Sequence, residues 1–149
     1  MAYRLSTLAD GRPVLLDEGL LEGDRARWWD LGRLSDGRLI LGVGLGNPSD
    51  VEFEHFGDEG DLKVRGEMLD EGLEVLAGLW SGEPYSFQGK HYRVKETVFL
   101  PRPAQSPRIP VWVASSRTSG APLRRAARWD GVFPDLKATP EEVREIAAY

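Results

Sequence analysis

The sequence predicts an α/β fold in which parallel strands alternate with helices. Three observations carry this expectation. Short, nearly all-apolar runs recur at Leu39–Val43, in "VWVASS" and in "DGVFPD". Segments with helical spacing separate or follow them. Strands alternating with helices imply a parallel sheet rather than a meander of hairpins.

The 149 residues amount to one ordinary domain. With 41% hydrophobic and 29% charged residues the chain can form a packed core and does not read as disordered. The net charge is −5 and the pI about 5.1, with no basic stripe, which argues against a nucleic-acid partner. No apolar run approaches the roughly 20 residues of a membrane helix, and "MAYRLSTLADGRP" lacks the apolar core of a signal peptide. The absence of cysteine excludes disulfides and thiol chemistry. His55 and His91 are too few for a histidine-rich site, so no metal is expected. The expected location is cytoplasmic, with no membrane contact.

In chain order, "YRLSTL" and "RPVLLDEGLL" flank the turn signal "ADG" and read as a hairpin. Leu39–Val43 reads as a buried strand. "NPSDVEFEHFGDEGD" reads as a long acidic loop, its acids solvated and Phe53 and Phe56 its candidate anchors. "VRGEMLDEGLEVLAGLWSG" is the strongest helix: Leu69, Leu73, Leu76 and Trp80 recur on one face, and Gly82 is placed to end it. Gly66, Gly72 and Gly78 weaken that helix unless they permit close approach to a sheet. "EPYSFQGKHYRV" reads as a hairpin, and "FLPRPAQSPRIP", with four prolines, as an extended connector into "VWVASS". "APLRRAARW" is a short helix whose Arg124 and Arg125 read as surface or helix-end residues. "TPEEVREIAAY" opens a last helix with Thr139 as N-cap, Pro140 at its first position and Glu142 closing a capping box. Trp80, Trp112 and Trp129 read first as core. A complete α/β barrel takes roughly 250 residues and eight strands. The three parallel strands here therefore belong to an open sheet or to part of a barrel.

The stretch "GRLILGVGLGNPSD" decides what kind of site to expect. Gly42, Gly44 and Gly46 follow the spacing G-x-G-x-G, and Asn47 stands where a dinucleotide fingerprint needs its last glycine. An acidic loop follows in place of a helix, which disfavours phosphate. A nucleotide P-loop fails for want of Gly-Lys-Ser/Thr. Glycines in a barrel strand instead mark bends and places where backbone or ligand comes close. The turn "ASSRTSGAPLRR" offers the hydroxyls of Ser115, Ser116, Thr118 and Ser119 and the backbone around Gly120. It reads either as helix capping or as an anion site.

Four segments together, "LGRLSDGRLILGVGLG", "FGDE…RGEMLDEGLEVLAGLWSGEPYSFQGKHYRV", "FLPRPAQSPRIPVWVAS" and "LRRAARWDGVFP", resemble the luciferase-like flavin-dependent monooxygenases in order and spacing. The likeness covers residues 31–149, taken as a partial luciferase-like barrel domain. Residues 1–30 form an N-terminal segment without visible match, a possible hairpin. The resemblance implies a partial TIM (β/α)8-type barrel with a small hairpin insertion, binding FMN or a deazaflavin (coenzyme F-420) and a small-molecule substrate. It implies that Gly44 and Gly46 lie at the C-terminal mouth of a middle strand and let the flavin ring come close. It places the phosphate on the loop holding Ala114, Ser115, Ser116, Ser119 and Gly120, and it puts Asn47 where it shapes substrate access. No side chain stands out as a catalytic acid or base. Family members extend further in both directions, so the chain is expected to be truncated at both ends. Two copies in a homo-oligomer would then cover the exposed edges. Two functions follow: a flavin-dependent oxidoreductase or monooxygenase, or a non-catalytic remnant acting as a flavin-binding or interaction module.

Overall fold

The structure, a computed structural model, describes residues 3–7, 13–17, 37–46, 49–115, 120–134 and 138–149, the first two runs as backbone. In chain order the elements are β1 (Tyr3–Thr7), β2 (Pro13–Asp17), β3 (Leu41–Val43), α1 (Ser49–Glu52), a 3-10 turn (Glu54–Phe56), α2 (Leu62–Trp80), β4 (Tyr85–Gln88), β5 (Arg93–Phe99), β6 (Val111–Ser115), α3 (Ala121–Ala126), β7 (Gly131–Pro134) and α4 (Pro140–Ala148). They divide into two compact units, one of Met1–Leu39 with Glu71–Arg108, the other of Ile40–Asp70 with Ile109–Tyr149.

The second unit holds the expected parallel sheet, in the order β3-β6-β7. Successive side chains of a strand alternate between faces, so its register defines two surfaces. On one, Leu41 and Val43 flank Val111 and Val113, with Val132 beyond them on β7. Val111 and Val113 are 1% exposed, and α3 packs on β6 with Leu123 and Ala126 buried. The expectation that Leu39–Val43 is buried throughout does not hold. β3 begins at Leu41, whose N–H meets the Pro110 carbonyl at 2.8 Å, where the partner strand starts. Among the described residues it is an edge strand with one covered face, and Ile40 remains 48% exposed.

Helix α2 starts two residues before the apolar run because Asp61 caps it. Asp61 Oδ1 accepts the N–H groups of Lys63 (2.7 Å) and Val64 (2.9 Å). The Val64 and Lys63 donors hold its carboxyl below the ordinary 3.8. Asp61 is thus a helix cap, not simply one more solvated acid. Leu73 and Trp80 of the apolar stripe are buried, and Gly82, at φ +71°, follows the last turn as expected. At the chain's end both halves of the capping box form: Glu142 N–H donates to Thr139 Oγ1 (3.2 Å) and Thr139 N–H to Glu142 Oε2 (2.7 Å).

The first unit is built on a four-stranded sheet in the order β1-β2-β5-β4. Both expected hairpins are present, β1 antiparallel to β2 and β4 antiparallel to β5, and β2 runs parallel to β5. The N-terminal hairpin therefore extends the insertion sheet rather than the parallel one. Two of the helix glycines serve close approach as expected: the Tyr85 ring lies against Gly78, and Gly72 faces Tyr92. The Tyr85 hydroxyl donates to the Glu74 carbonyl at 3.2 Å. Glu71 clasps the hairpin tip, accepting the N–H groups of Lys90 (2.7 Å), His91 (2.9 Å) and Tyr92 (2.9 Å). Gly89 leaves room for that carboxylate. Burial works to raise the Glu71 carboxyl, but the three donors outweigh it and hold it below its ordinary 4.5.

Candidate functional site

The second face of the parallel sheet is the candidate site. Strand register sets Gly42 opposite Trp112 and Trp112 opposite Gly131, and in the next row Ala114 opposite Phe133. A Cβ on Gly44 would stand 3.1 Å from that of Ala114, so these two residues meet across the strands. Among the described residues, a Cβ on Gly42 would find nothing within 4 Å. The floor along β3 is bare backbone, and the two large side chains of the face, Trp112 and Phe133, are 37% and 50% exposed. Among the described residues this face stays exposed. This corrects the reading of Trp112 as a core residue: it alternates with the buried Val111 and Val113 and so points away from α3.

Gly46, just beyond β3, sits at φ +72°, a conformation that favours glycine. The Glu52 carboxylate and the Phe53 ring occupy the space its Cβ would take. The Arg65 guanidinium, itself 6% exposed, lies 3.8 Å from the Phe53 ring centroid. Phe53 is thus an anchor of the acidic segment, as expected. Phe56 is not, because at 80% exposure its ring packs on little. His55 is exposed in the 3-10 turn.

Beyond β6, Gly120 adopts φ +96°, with no described residue within 4 Å of its Cβ position, and leads into α3. Ser115 is 3% exposed and shares the covered face with Val113, so its hydroxyl does not open onto the glycine floor. Asn47, Ser116 and Ser119 lie outside the described residues. Of the expected site residues, the structure therefore brings Gly44 and Ala114 together, sets Gly46 under Phe53, and leaves Gly120 open. Arg125 stands in the last turn of α3, a helix-end residue as expected. It is 7% exposed, not a surface residue, because Asp70 receives its Nε (2.7 Å) and Nη2 (2.9 Å) in a fork while Nη2 also reaches the Gly66 carbonyl (3.0 Å). Gly66 admits the guanidinium, which would pass 3.2 Å from a Cβ there. This fork ties α2 to α3 behind the sheet and plays no part in the open face. Gly42 and Trp112 belong to the face, although the sequence shows only that both stand in strands. The signal that joins them is register, which no local pattern reveals.

The comparisons with known proteins bear on this site. A family model described as luciferase-like monooxygenase matches residues 26–149. An F420-dependent glucose-6-phosphate dehydrogenase of Intrasporangium calvum is 36% identical over 121 residues, 79% of this chain and 34% of that protein. The oxygenase component of a flavin-dependent trigonelline monooxygenase from Acinetobacter baylyi is 33% identical over 82 residues, 55% of this chain and 22% of that protein. The crystal structure of monooxygenase RslO1 from Streptomyces bottropensis superposes with a TM-score of 0.64 at 28% identity, over 80% of this chain and 36% of that one. The chain thus spans between about a fifth and about a third of the length of these relatives.

Proposed function

Because the chain belongs to the luciferase-like monooxygenase family, we propose that it carries the cofactor-binding part of a flavin- or deazaflavin-dependent oxidoreductase acting on a small organic substrate. The fold class accords with that membership: a partial (β/α)8-type barrel, of which β3, β6 and β7 are parallel staves. The observation that carries the reading is the open face, bare at Gly42, Gly44 and Ala114 beside exposed aromatic side chains. A planar, largely apolar ring fits such a floor, since nothing at Gly42 stands in its way. Relatives that use F420 and relatives that use flavin support the two cofactor classes alike.

In this reading Gly44 and Ala114 let the ring come close to the backbone, and Gly46 fixes the turn under Phe53 at the strand's C-terminal end, where sites of this fold lie. The phosphate end falls to the loop through Ser116 and Ser119 to Gly120, together with backbone groups of Ser115. Asn47 and the acidic segment shape substrate access. When bound, the cofactor supplies the redox chemistry, toward oxygen for a flavin or as hydride transfer for a deazaflavin. The chain's own residues bind it, orient it and exclude water. A division into residues 1–30 and the barrel portion 31–149, a cytoplasmic location and assembly as a homo-oligomer belong to the same proposal. The family match begins at residue 26, a few residues before that boundary. Among the described residues no helix is long and apolar enough to cross a membrane.

Titration of the purified chain with FMN and then with a deazaflavin, followed by cofactor fluorescence and by elution volume, tests the proposal. Saturable binding of either supports it, and turnover assays with that cofactor follow. Binding without turnover favours a non-catalytic flavin-holding module. Failure to bind either cofactor overturns the reading.

A further inference from the structure

We propose that Arg65 is a positioning residue for the cofactor: through the Phe53 ring it fixes the glycine turn at the C-terminal end of β3, against which the cofactor lies. The inference rests on the cofactor reading above and adds a residue to which that reading gives no part.

β3 ends at Val43, and Gly46 follows at φ +72°, in the left-handed region where a side chain is strained. Conformation is only half of the constraint on this residue. A Cβ there would stand 2.5 Å from Phe53 Cε2 and 2.8 Å from Cζ, and it would also meet the Glu52 carboxylate. The edge of the phenyl ring thus lies directly on the backbone of the turn.

The ring is held from two sides. At its root, the Phe53 carbonyl accepts the N–H groups of Phe56 (2.9 Å) and Asp58 (3.0 Å), so its backbone opens the 3-10 turn. Over its face, the Arg65 guanidinium stands 3.8 Å from the ring centroid. Arg65 is itself fixed in the first turn of α2, where its N–H donates to the carbonyl of the capping Asp61 at 2.9 Å. A continuous stack therefore runs from the start of α2 through Arg65 and Phe53 to the end of β3, wholly within the second unit.

Among the described residues two cations are buried, Arg65 at 6% exposure and Arg125 at 7%. Arg125 grips a carboxylate behind the sheet, whereas Arg65 covers a ring at the strand's end. A buried guanidinium is a weak source of stability, since a well-packed apolar side chain of similar volume often serves as well. What it adds is orientation, because its rigid plane stacks on an aromatic face as an ammonium cannot. Sites of the barrel fold lie at the C-terminal ends of the strands, and that is the end the stack fixes. A tilt of the ring carries the Gly46 backbone with it, because no gap separates the two.

The test titrates wild type, Arg65→Met, Arg65→Lys, Phe53→Leu and the double variant Arg65→Met/Phe53→Leu with FMN and with a deazaflavin, following cofactor fluorescence. Circular dichroism and thermal midpoints first identify the variants that fold. Arg65→Met keeps side-chain length without the charged plane and should weaken binding tenfold or more, and Arg65→Lys should recover only part of the loss. Phe53→Leu should weaken binding as much as Arg65→Met, and the double variant no more than either alone, because the arginine acts through the ring. Phe53→Tyr keeps the ring and should bind within a few-fold of wild type. Arg125→Ala, at the other buried arginine, should lower the thermal midpoint and leave affinity unchanged. In the cofactor-free chain, the Gly46 amide resonance should move in both Arg65→Met and Phe53→Leu. If Arg65→Met does not fold, Phe53→Leu and Arg65→Lys decide. Wild-type affinity in a folded variant at Arg65 or in Phe53→Leu, losses that add in the double variant, an equal loss in Arg125→Ala, or an unmoved Gly46 resonance overturns the positioning role and leaves the cofactor reading standing. Failure of wild type to bind either cofactor overturns both.

Discussion

The two faces of the parallel sheet share the same three strands and differ in almost everything else. One presents Val111, Val113 and Ser115, each at most 3% exposed, to α3. The other presents glycines, Ala114, Trp112 and Phe133 to open space. Because side chains alternate along a strand, every residue of β6 belongs to one face or the other, and the strand divides its labour at each step. The covered face holds the unit together. Among the described residues the open face contributes little to that.

The largest expected effect falls on the covered side. Leu123→Ala should cost about 2–5 kcal/mol of unfolding free energy, because Leu123 is 2% exposed under α3. Phe133→Ala on the open face should cost under about 1 kcal/mol. Denaturant melts of the pair measure the contrast directly, and equal losses would mean that the open face is covered in solution. Next comes the fork behind the sheet. Arg125→Ala removes the fork on Asp70 and should cost about 2–3 kcal/mol, toward the lower end because the Asp70 side chain keeps 33% exposure and Arg128 stays 3.6 Å from it. Arg125→Lys should restore less than half of that loss, since an ammonium cannot form the fork. Neither variant should alter cofactor affinity beyond what lost stability explains, which separates the fork from the face.

A smaller effect belongs to the hairpin clasp. The Glu71 carboxyl is held below 4.5 in the folded chain, so its stabilising contribution is fully present above that value and is lost as the pH falls through the lowered pKa. Amide exchange at Lys90, His91 and Tyr92 should be slow at neutral pH and should accelerate as the pH falls through the lowered Glu71 pKa, beyond its intrinsic pH dependence. Glu71→Gln should abolish that acid step. The smallest effect is local: Thr139→Ala removes one side of the capping box and should cost about 1 kcal/mol, seen as fraying of α4 by circular dichroism with no change in cofactor binding.

Much of this architecture is legible in the sequence where the cause is local. The capping box at Thr139 and Glu142, the stop at Gly82, the stripe from Leu69 to Trp80 and the hairpin around "QGK" each depend on residues a few positions apart, and each forms as read. The strand–helix alternation likewise forecasts the parallel sheet. What stays hidden depends on pairing at a distance. Arg125 looks like an exposed helix-end cation until Asp70, 55 residues earlier, is seen to receive it. Trp112 looks like core until the register shows glycine on both sides of it. The pairing of β2 with β5 joins residues more than eighty positions apart and leaves no local mark. Asp61 is the exception, a cap whose signal was present in its place ahead of the helix but was masked by the run of acids around it.

The fork of Arg125 has a further consequence, for inheritance. Its guanidinium reaches the Gly66 carbonyl past the place where a side chain would stand, and it reaches Asp70 one turn along the same helix. Three positions are therefore bound into a single character. A lineage that acquires a larger residue at position 66 crowds the arginine, and one that loses the arginine leaves the aspartate its longer 3.6 Å ion pair with Arg128 in place of the fork. In descendants of this chain, glycine, aspartate and arginine at these positions should persist together or disappear together.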